Sequence, residues 1–159
     1  RDLRAADAHG DLPRVFAAAA QRLAADPSVR FRVTVDGEPR DLHPLVRDET
    51  ARIGCEAVFN AFRHANARSI DVVLAYDRRH FALYVRDDGV GIAADVLRDG
   101  RDGHYGLTGM RERARKIDAG FALTSRPGAT QVELVVPGRV AYASNAHDAH
   151  PARGARRPS

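Results

Sequence analysis

Three short motifs occur in a fixed order along this chain, and together they constrain its fold more than any other feature of the sequence. They are EAVFNAFRHA at residues 56–65, DDGVGI at 87–92 and GLTGMRER at 106–113. Hydrophobic periodicity places the first on a helix, the second at the end of a strand and the third at the start of a helix. Each motif is weak alone, but the set predicts one pocket built from a helix face, a strand end and a glycine-rich helix start.

The composition is typical of a single globular domain. The chain has 159 residues, of which 44% are hydrophobic and 29% charged, which is enough for one buried core. No apolar run approaches the roughly 18 residues that a membrane-spanning helix requires. Cys55 is the only cysteine, so an internal disulfide is excluded, and we interpret its thiol as a side chain packed on a helix.

The charged residues argue against two kinds of site. The net charge is +4, but the arginines are scattered among acidic residues and aromatic residues are few, so we expect no nucleic-acid surface. Lys116 is the only lysine and no Gly-Lys-Ser/Thr triplet occurs, so any nucleotide site in this chain is not a P-loop. The histidines show no metal-binding spacing, and we predict no structural metal.

The order of the predicted elements indicates an α+β fold. We predict helices over 12–25, from Pro44 to about 67, and from Leu107 to an end at Gly120, with strands over 29–36, around 70–74 and 81–85, and a closing hairpin over 121–136. This order predicts a two-layer α/β sandwich, in which a mostly antiparallel mixed sheet carries helices on one face. We assign residues 11–138 to the domain and 139–159 to a disordered tail.

The first motif places polar groups on one stripe of its helix. Glu56, Asn60 and His64 are spaced four residues apart, and Arg63 borders them. An amide oxygen suits Mg²⁺, a carboxylate one turn away can accept a proton, and Arg63 and His64 can donate to phosphate oxygens. The alternative is a solvated helix face on which Glu56 pairs with Arg52 or Arg63.

The second motif puts a carboxylate directly after a strand. Asp87 can accept a hydrogen bond from an exocyclic amine such as that of adenine, and Gly89 and Gly91 allow the backbone to approach a ligand closely. The alternative is an ordinary turn, since Asp-Gly is common in turns.

The third motif combines glycines with a helix start. The backbone N–H groups that follow Gly106 and Gly109 can bind phosphate, although an ordinary loop and helix start would share this pattern. The preceding residues 93–105 have weak periodicity, and we predict a mobile loop there, in which His104 either contacts a nucleotide or is solvated.

In this combination the motifs resemble those of the ATP-binding catalytic domain of bacterial sensor histidine kinases, a superfamily that also includes DNA gyrase and MutL. Residues 56–67 resemble the N box of the nitrate-sensor subfamily, 87–92 the first glycine box and 104–114 the second. The resemblance covers residues 29–137 and implies the Bergerat-type ATP-binding fold.

The resemblance also implies roles for individual residues. Asn60 would hold Mg²⁺, Glu56 would be the base or an orienting acid, and Asp87 would bind the adenine amine. The other nucleotide-binding residues implied by position are Arg63, His64, Gly89, Gly91, Ile92, His104, Tyr105, Gly106, Leu107, Thr108, Gly109, Met110 and Thr130. Residues 93–105 would form the ATP lid. Thr130 would support Asp87 through water, although the family's Gly-x-Gly-Thr segment is one residue shorter here, as Pro127 to Thr130.

The implied activity is transfer of the γ-phosphate of ATP to a histidine on an upstream dimerisation domain absent from this chain, with residues 1–10 as the remnant of that helical region. The implied partner is a response regulator receiver domain. The domain would be cytoplasmic, within a membrane-anchored homodimer of the bacterial inner membrane. Alternatives are an ATPase or anti-sigma-factor serine kinase of the same superfamily, or a degenerate, non-catalytic interaction module.

Overall fold

The computed structural model describes residues 11–23, 27–92 and 106–143. Its elements are α1 (Leu12–Leu23), β1 (Arg30–Asp36), α2 (Pro44–Arg63), β2 (Ser69–Tyr76), β3 (His80–Asp87), α3 (Leu107–Lys116), β4 (Gly120–Arg126), β5 (Ala129–Pro137) and α4 (Gly138–Ala141). Among these helices, none is both long and apolar enough to cross a membrane.

The strands form one mixed sheet in the order β1-β2-β3-β5-β4. Only β1 and β2 pair in parallel, because α2 connects them. The other neighbours are antiparallel, and short turns at 77–79 and 127–128 join two of these pairs. The predicted α+β class, with a mostly antiparallel mixed sheet, is confirmed.

The helices cover one face of this sheet because alternate strand residues are apolar. In β2 the buried side chains are Ile70, Val72 and Leu74, and the matching positions of β3 and β5 join them in one core with α1, α2 and α3. The opposite face carries polar contacts, such as the ion pair between Arg32 and Asp71, 3.1 Å from Nε to Oδ1. The domain is therefore two-layered.

Helix α1 lies very close to α2. An added Cβ on Gly54 of α2 would lie 2.4 Å from Cε1 of Phe16, and the Phe16 side chain is fully buried. Glycine at position 54 therefore lets the aromatic ring of α1 rest directly on the α2 backbone.

Two of the predicted helix ends are wrong. Helix α2 ends at Arg63 rather than near residue 67, and Asn66 takes a positive φ of 52° as the chain turns into β2. Helix α3 ends at Lys116, and Asp118, with φ of 53°, reverses the chain, whereas Gly120 already belongs to β4. Asparagine and aspartate tolerate the left-handed region better than most residues, so Asn66 can end α2 and Asp118 takes the place of Gly120, which we expected to end α3.

The predicted disordered tail begins too early. Residues 138–141 form α4, and Tyr142 after it is buried and makes an isolated β-bridge with Leu42. The backbone N–H of Ala143 also donates to the carbonyl of Asp41 at 3.0 Å. This apolar segment is too short to show periodicity, so its packing was not visible in the sequence; residues 144–159 lie outside the described part of the chain.

Tyr142 fastens this C-terminal segment to the turn between β2 and β3. Its hydroxyl lies 2.6 Å from the carbonyl oxygen of Asp77 and 2.9 Å from that of His80. The Arg40 guanidinium lies 4.0 Å from the centre of the Tyr142 ring, within cation–π range.

We expect Tyr142→Phe to lower the free energy of unfolding by about 0.5–1.5 kcal/mol, because the hydroxyl that bridges the carbonyl groups of Asp77 and His80 is lost. Tyr84→Phe is the matched control, since the Tyr84 hydroxyl forms no hydrogen bond among the described residues. Urea denaturation of both variants measures the difference, and equal stability of the two would contradict the assigned role.

Candidate functional site

The three sequence motifs meet at one cleft between α2, the ends of β3 and β5, and the start of α3. The cleft has about 430 Å³ of empty space, counted with its open mouth. Its lining consists of Ala57, Asn60, Ala61, His64, Ala65, Val85, Asp87, Gly91, Ile92, Leu107, Met110, Leu123, Thr130 and Val132. Mostly apolar walls with a few convergent polar groups are typical of small-molecule sites.

The lining contains many of the residues that we predicted from sequence and several that we did not. The predicted ones are Asn60, His64, Asp87, Gly91, Ile92, Leu107, Met110 and Thr130; the missed ones are Ala57, Ala61, Ala65, Val85, Leu123 and Val132. The missed residues are all apolar, and an apolar residue carries no local signal that distinguishes the wall of a cleft from the core. The available signal for Val85 and Val132 was strand alternation, since both lie at the buried positions of β3 and β5.

Asp87, the last residue of β3, is the acidic residue of the cleft. It is half-buried, and its Oδ1 accepts a hydrogen bond from the backbone N–H of Gly89 at 2.9 Å. Burial raises the pKa of the Asp87 carboxyl, the Gly89 hydrogen bond opposes that rise, and the neighbouring Asp88 adds to it. The site therefore holds a partly desolvated carboxylate.

Asp88, the next residue, has a structural role instead. Its exposed Oδ1 accepts from the backbone N–H groups of Arg68 at 2.8 Å and Ser69 at 3.0 Å. These hydrogen bonds lower the pKa of the Asp88 carboxyl. Asp88 thus accepts the hydrogen bonds of the backbone N–H groups at the start of β2, while Asp87 faces the cleft.

The glycines of the second motif are required by the packing of their own turn. An added Cβ on Gly89 would lie 2.2 Å from the Ala65 carbonyl oxygen, and Gly89 is not among the residues that line the cleft. Gly91 has φ of 87°, and an added Cβ there would lie 2.9 Å from the Arg126 carbonyl carbon. Backbone hydrogen bonds from Val90 to Ala65 and from Gly128 to Gly89 hold the turn in place.

A second concavity, which we name the side groove, adjoins the cleft and shares Met110 with it. Its lining is Ala19, Arg22, Leu23, Arg52, Cys55, Glu56, Phe59, Gly106, Gly109, Met110 and Arg113. Glu56 and Asn60 are one helical turn apart, yet Glu56 lines the side groove and Asn60 lines the cleft. Gly106 has φ of 63°, and an added Cβ would lie 2.5 Å from Oε2 of Glu56, so glycine here lets the chain pass directly over that carboxylate.

The remaining predicted residues lie outside the cleft or outside the described part of the chain. Arg63 is exposed, with its guanidinium 5.3 Å from the centre of the Phe59 ring, and no ion pair joins Glu56 to Arg52 or Arg63 among the described residues. Thr108 is exposed on α3 and lines neither concavity. His104, Tyr105 and the rest of the predicted lid, 93–105, are not among the described residues.

Ion pairs between a buried glutamate of α2 and two partly exposed cations of α3 hold these helices together and so help to place the third motif. The Glu49 side chain is only 8% exposed, and its oxygens lie 3.1 Å from Nη1 of Arg113 and 3.6 Å from Nζ of Lys116. Without Arg113, the buried Glu49 carboxylate would keep only the more distant and more exposed Lys116 as its partner. This constraint holds the start of α3, with Leu107 and Met110, against the cleft.

Thr130 connects the cleft to the β4–β5 hairpin. It is buried and pairs across the sheet with Asp87. Its Oγ1 lies 2.6 Å from Oγ of Ser125, which also accepts a hydrogen bond from the backbone N–H of Ile92 at 2.8 Å. Sequence reasoning missed Ser125, because its position opposite Thr130 follows from the register of the β4–β5 hairpin, which the structure supplies.

The oxygen donors near the cleft fit a magnesium ion that keeps most of its water. The Asn60 amide and the Glu56 carboxylate are hard ligands, and within the described ranges no group of three or more His, Cys, Asp or Glu residues could hold a metal ion. This donor set suits a cation that is coordinated by few protein oxygens and otherwise by oxygens of water and phosphate. It does not suit an ion that needs a complete set of protein ligands.

We expect Asp87→Asn to stabilise the ligand-free chain at neutral pH. Since the pKa of Asp87 is raised in the folded state, that state holds more protons than the unfolded chain just above the ordinary aspartate pKa of about 3.9, and stability falls as pH rises through this window. The neutral asparagine amide avoids the desolvation of a charged carboxylate. Its oxygen can still accept the hydrogen bond from the backbone N–H of Gly89.

Thermal melting between pH 4 and 8 measures this effect: the gain in melting temperature should appear above the raised pKa and vanish toward pH 4. Asp88→Asn is the matched control with the opposite sign, because the lowered pKa of Asp88 indicates a stabilising charge at neutral pH. A lower melting temperature for Asp87→Asn at neutral pH would contradict the assignment of a desolvated carboxylate.

Comparison with known proteins places this geometry in context. Residues 45–140 match the family model described as histidine kinase-, DNA gyrase B-, and HSP90-like ATPase. The sensor protein VraS of Staphylococcus saprophyticus is 33% identical over 110 residues, which cover 69% of this chain and 31% of that protein. The nitrate/nitrite sensor protein NarQ of Escherichia coli is 45% identical over 83 residues, which cover 50% of this chain and 14% of that protein.

A further relative is named as a sensor histidine kinase, and its match again covers only part of its length. The sensor histidine kinase LiaS of Bacillus subtilis is 37% identical over 93 residues, covering 58% of this chain and 25% of that protein. This chain therefore spans less than a third of the length of these relatives. Among solved structures, the histidine kinase domain of the blue-light activated kinase of Erythrobacter litoralis EL346 superposes with a TM-score of 0.67 at 22% identity, covering 80% of this chain and 59% of that chain.

Proposed function

This chain belongs to the family of histidine kinase-, DNA gyrase B- and HSP90-like ATPases, and we propose that it is the ATP-binding catalytic domain of a two-component sensor histidine kinase. The observation that carries the proposal is the meeting of the three motifs at one apolar cleft that contains the Asp87 carboxylate. The similarity to the sensor histidine kinase LiaS and to the sensor proteins VraS and NarQ supports the assignment.

The cleft suits an adenine ring. The side chains of Ala61, Val85, Leu107 and Met110 provide apolar surface for a flat aromatic base. Asp87 at the end of β3 accepts the hydrogen bond of the exocyclic amine, and its partial burial strengthens that charge-assisted contact because less water competes for the carboxylate.

The phosphates extend from the cleft toward the side groove, past the start of α3. Backbone N–H groups of the first turn of α3, after Gly106, bind phosphate oxygens. Asn60 would hold Mg²⁺ together with the phosphates, and the bound ion would supply neutralisation of the charge that develops on the transferred group. Glu56, on the side groove one turn before Asn60, acts as the base or orients the attacking group.

The phosphoryl acceptor in this proposal is a histidine on a dimerisation domain outside these 159 residues. Transfer requires that the acceptor approach in line with the γ-phosphate, and His64 is unsuited because it lines the same cleft as the nucleotide. The phosphorylated histidine would then serve a response regulator receiver domain. The domain would be cytoplasmic, within a membrane-anchored homodimer of the bacterial inner membrane.

We expect Asp87→Asn to weaken binding of Mg-ATP by about 1.5–3 kcal/mol, which is roughly a 10- to 150-fold rise in Kd, because a charge-assisted hydrogen bond is lost. Asp71→Asn is the matched control, since it removes one negative charge from the opposite face of the sheet. Isothermal titration calorimetry measures both variants. Equal affinity of Asp87→Asn and the wild type would contradict the adenine assignment, and no binding by the wild type would indicate a degenerate module.

A second prediction concerns the phosphoryl transfer itself. In a longer chain that includes the upstream helices, Asn60→Ala should abolish Mg²⁺-dependent labelling by radiolabelled ATP while the fold persists, and Glu56→Gln should slow labelling more than it weakens ATP binding. The 159-residue chain alone should remain unlabelled.

The chemistry of the labelled product separates the alternatives. Phosphohistidine is labile in acid and stable in base. An acid-stable product would instead indicate a serine kinase, and ATP hydrolysis without any labelled protein would indicate an ATPase of the same superfamily. Stoichiometric label on the 159-residue chain would contradict the proposed acceptor.

A further inference from the structure

The sheet ends in two edge strands, β1 and β4, and each has one side with which no described strand pairs. Such an edge is a template for pairing with another strand, and natural proteins shield it with proline, bulges, short strands or charged side chains. Strand β1 runs from Arg30 to Asp36 and contains no proline. Its Val35 side chain is 41% exposed, one of the few large hydrophobic side chains exposed in the described part of the chain.

The unpaired side of β1 carries the main-chain groups of its odd-numbered residues. The backbone N–H of Arg30 donates to the carbonyl of Arg68 at 2.8 Å, in step with the parallel register of β1 and β2. Main-chain groups point to alternate sides along a paired strand. Phe31, Val33 and Val35 therefore turn their N–H and C=O groups away from β2, toward the free edge.

The sequence of β1 is complementary to itself when a second copy runs antiparallel to it. A two-fold axis at Val33, the middle residue of the strand, places Phe31 opposite Val35 of the other copy. The same axis places Arg30 opposite Asp36. Each odd-numbered pair can then exchange both of its N–H···O bonds, as the hydrogen-bonded pairs of an antiparallel ladder do.

The side chains match on both faces of this ladder. On the face that bears the helices, half-buried Phe31 meets exposed Val35, so that two apolar side chains pack across the ladder. On the other face Arg30 and Asp36 are both exposed, and neither forms an ion pair within the described residues. Opposite charges on facing residues stabilise a strand pair, and the second copy supplies them.

Other registers fit this edge less well. A shift by one residue sets the free N–H and C=O groups of one copy against residues whose own groups face β2. A shift by two residues in one direction sets Arg32 against Arg32 of the second copy. The same shift in the other direction sets Phe31 against Gly37, where a φ of 84° turns the chain out of the strand.

The opposite edge of the sheet lacks this complementarity. Strand β4 has one charged residue, Arg126. An antiparallel copy of β4 centred on Leu123 would set Arg126 against Gly120, so no pair of opposite charges forms. The comparison of the two edges therefore singles out β1.

We propose that the free edge of β1 is a homodimer interface, at which β1 of a second copy of this chain pairs antiparallel about Val33. A two-fold dimer requires a patch that is complementary to itself, and β1 meets that requirement. The axis is perpendicular to the sheet, so the sheet continues across both copies and the helices of both lie on one face. Because β2 lies between β1 and the strands of the cleft, this contact does not depend on ATP binding.

The contact is small, since each copy contributes one strand. Interfaces that bury less than about 1,200 Å² are weak or transient. We therefore expect the separate chain to associate only at high concentration. Two copies tethered within one longer assembly would meet at an effective concentration of about 1 mM, which favours the same contact.

Sedimentation velocity of the 159-residue chain at concentrations up to about 1 mM tests the interface. The wild type should form a dimer whose fraction rises with concentration. Asp36→Arg should raise the dissociation constant of the dimer about tenfold, because both symmetry-related pairs become repulsive. Adding Arg30→Asp to Asp36→Arg restores opposite charges in both pairs and should restore the dimer. Glu112→Arg makes the same change of charge at an exposed position of α3 and should leave the dissociation constant unchanged.

Amide hydrogen exchange gives a second measurement that needs no variant. Exchange at Phe31, Val33 and Val35 should slow as the concentration of the wild-type chain rises, whereas amides on the free edge of β4 should keep their rates. A wild type that stays monomeric, a dimer that Asp36→Arg leaves unchanged, or a double variant that fails to recover would each overturn the interface. Loss of ATP binding would instead count against the proposed function alone.

Discussion

The antiparallel pairing of β3 with β5 is the constraint on which the rest of the structure depends. This register puts Asp87 opposite Thr130 and Val85 opposite Val132, so the polar end of the site and its apolar floor arise from one ladder. Because side chains alternate along a strand, a slip of one residue would turn Val132 and Thr130 away from the cleft and expose the core face of β5. The helices above the sheet bury that face, and their packing therefore enforces the same register that the site requires.

Two adjacent aspartates show how stability and function are divided in this site. Asp88 is surrounded by backbone N–H groups, and its charge is stabilised by them. Asp87 is partly desolvated and receives one such hydrogen bond, from Gly89. The folded chain thus keeps a partly desolvated carboxylate at Asp87, to which a ligand can donate a hydrogen bond. The hydrogen bonds of Asp88, the next residue, hold the turn in the position that exposes Asp87 to the cleft.

The division of the site between the cleft and the side groove follows from the position of α3. The ion pairs of Glu49 with Arg113 and Lys116 hold α3 against α2, and the left-handed Gly106 carries the chain directly over Glu56. A nucleotide in the cleft would have its base against the sheet and its phosphates at the start of α3, beside Asn60 and toward Glu56. The proposed separation of base recognition from phosphoryl chemistry therefore matches the separation between the sheet and the helix pair.

The sequence alone determined the order of the elements, the α+β class and most of the polar residues of the cleft, because the periods of helices and strands and the glycine-rich motifs are local properties. It did not reveal Ser125, the apolar walls formed by Ala61 and Leu123, the separation of Glu56 from Asn60, or the bridge between Leu42 and Tyr142. Each of these depends on contacts between residues distant in the chain or on the register of two strands, which only the packed tertiary structure decided. The helix ends at Arg63 and Lys116 were missed for a related reason, since asparagine and aspartate adopt the left-handed conformation only where the surrounding fold requires a turn.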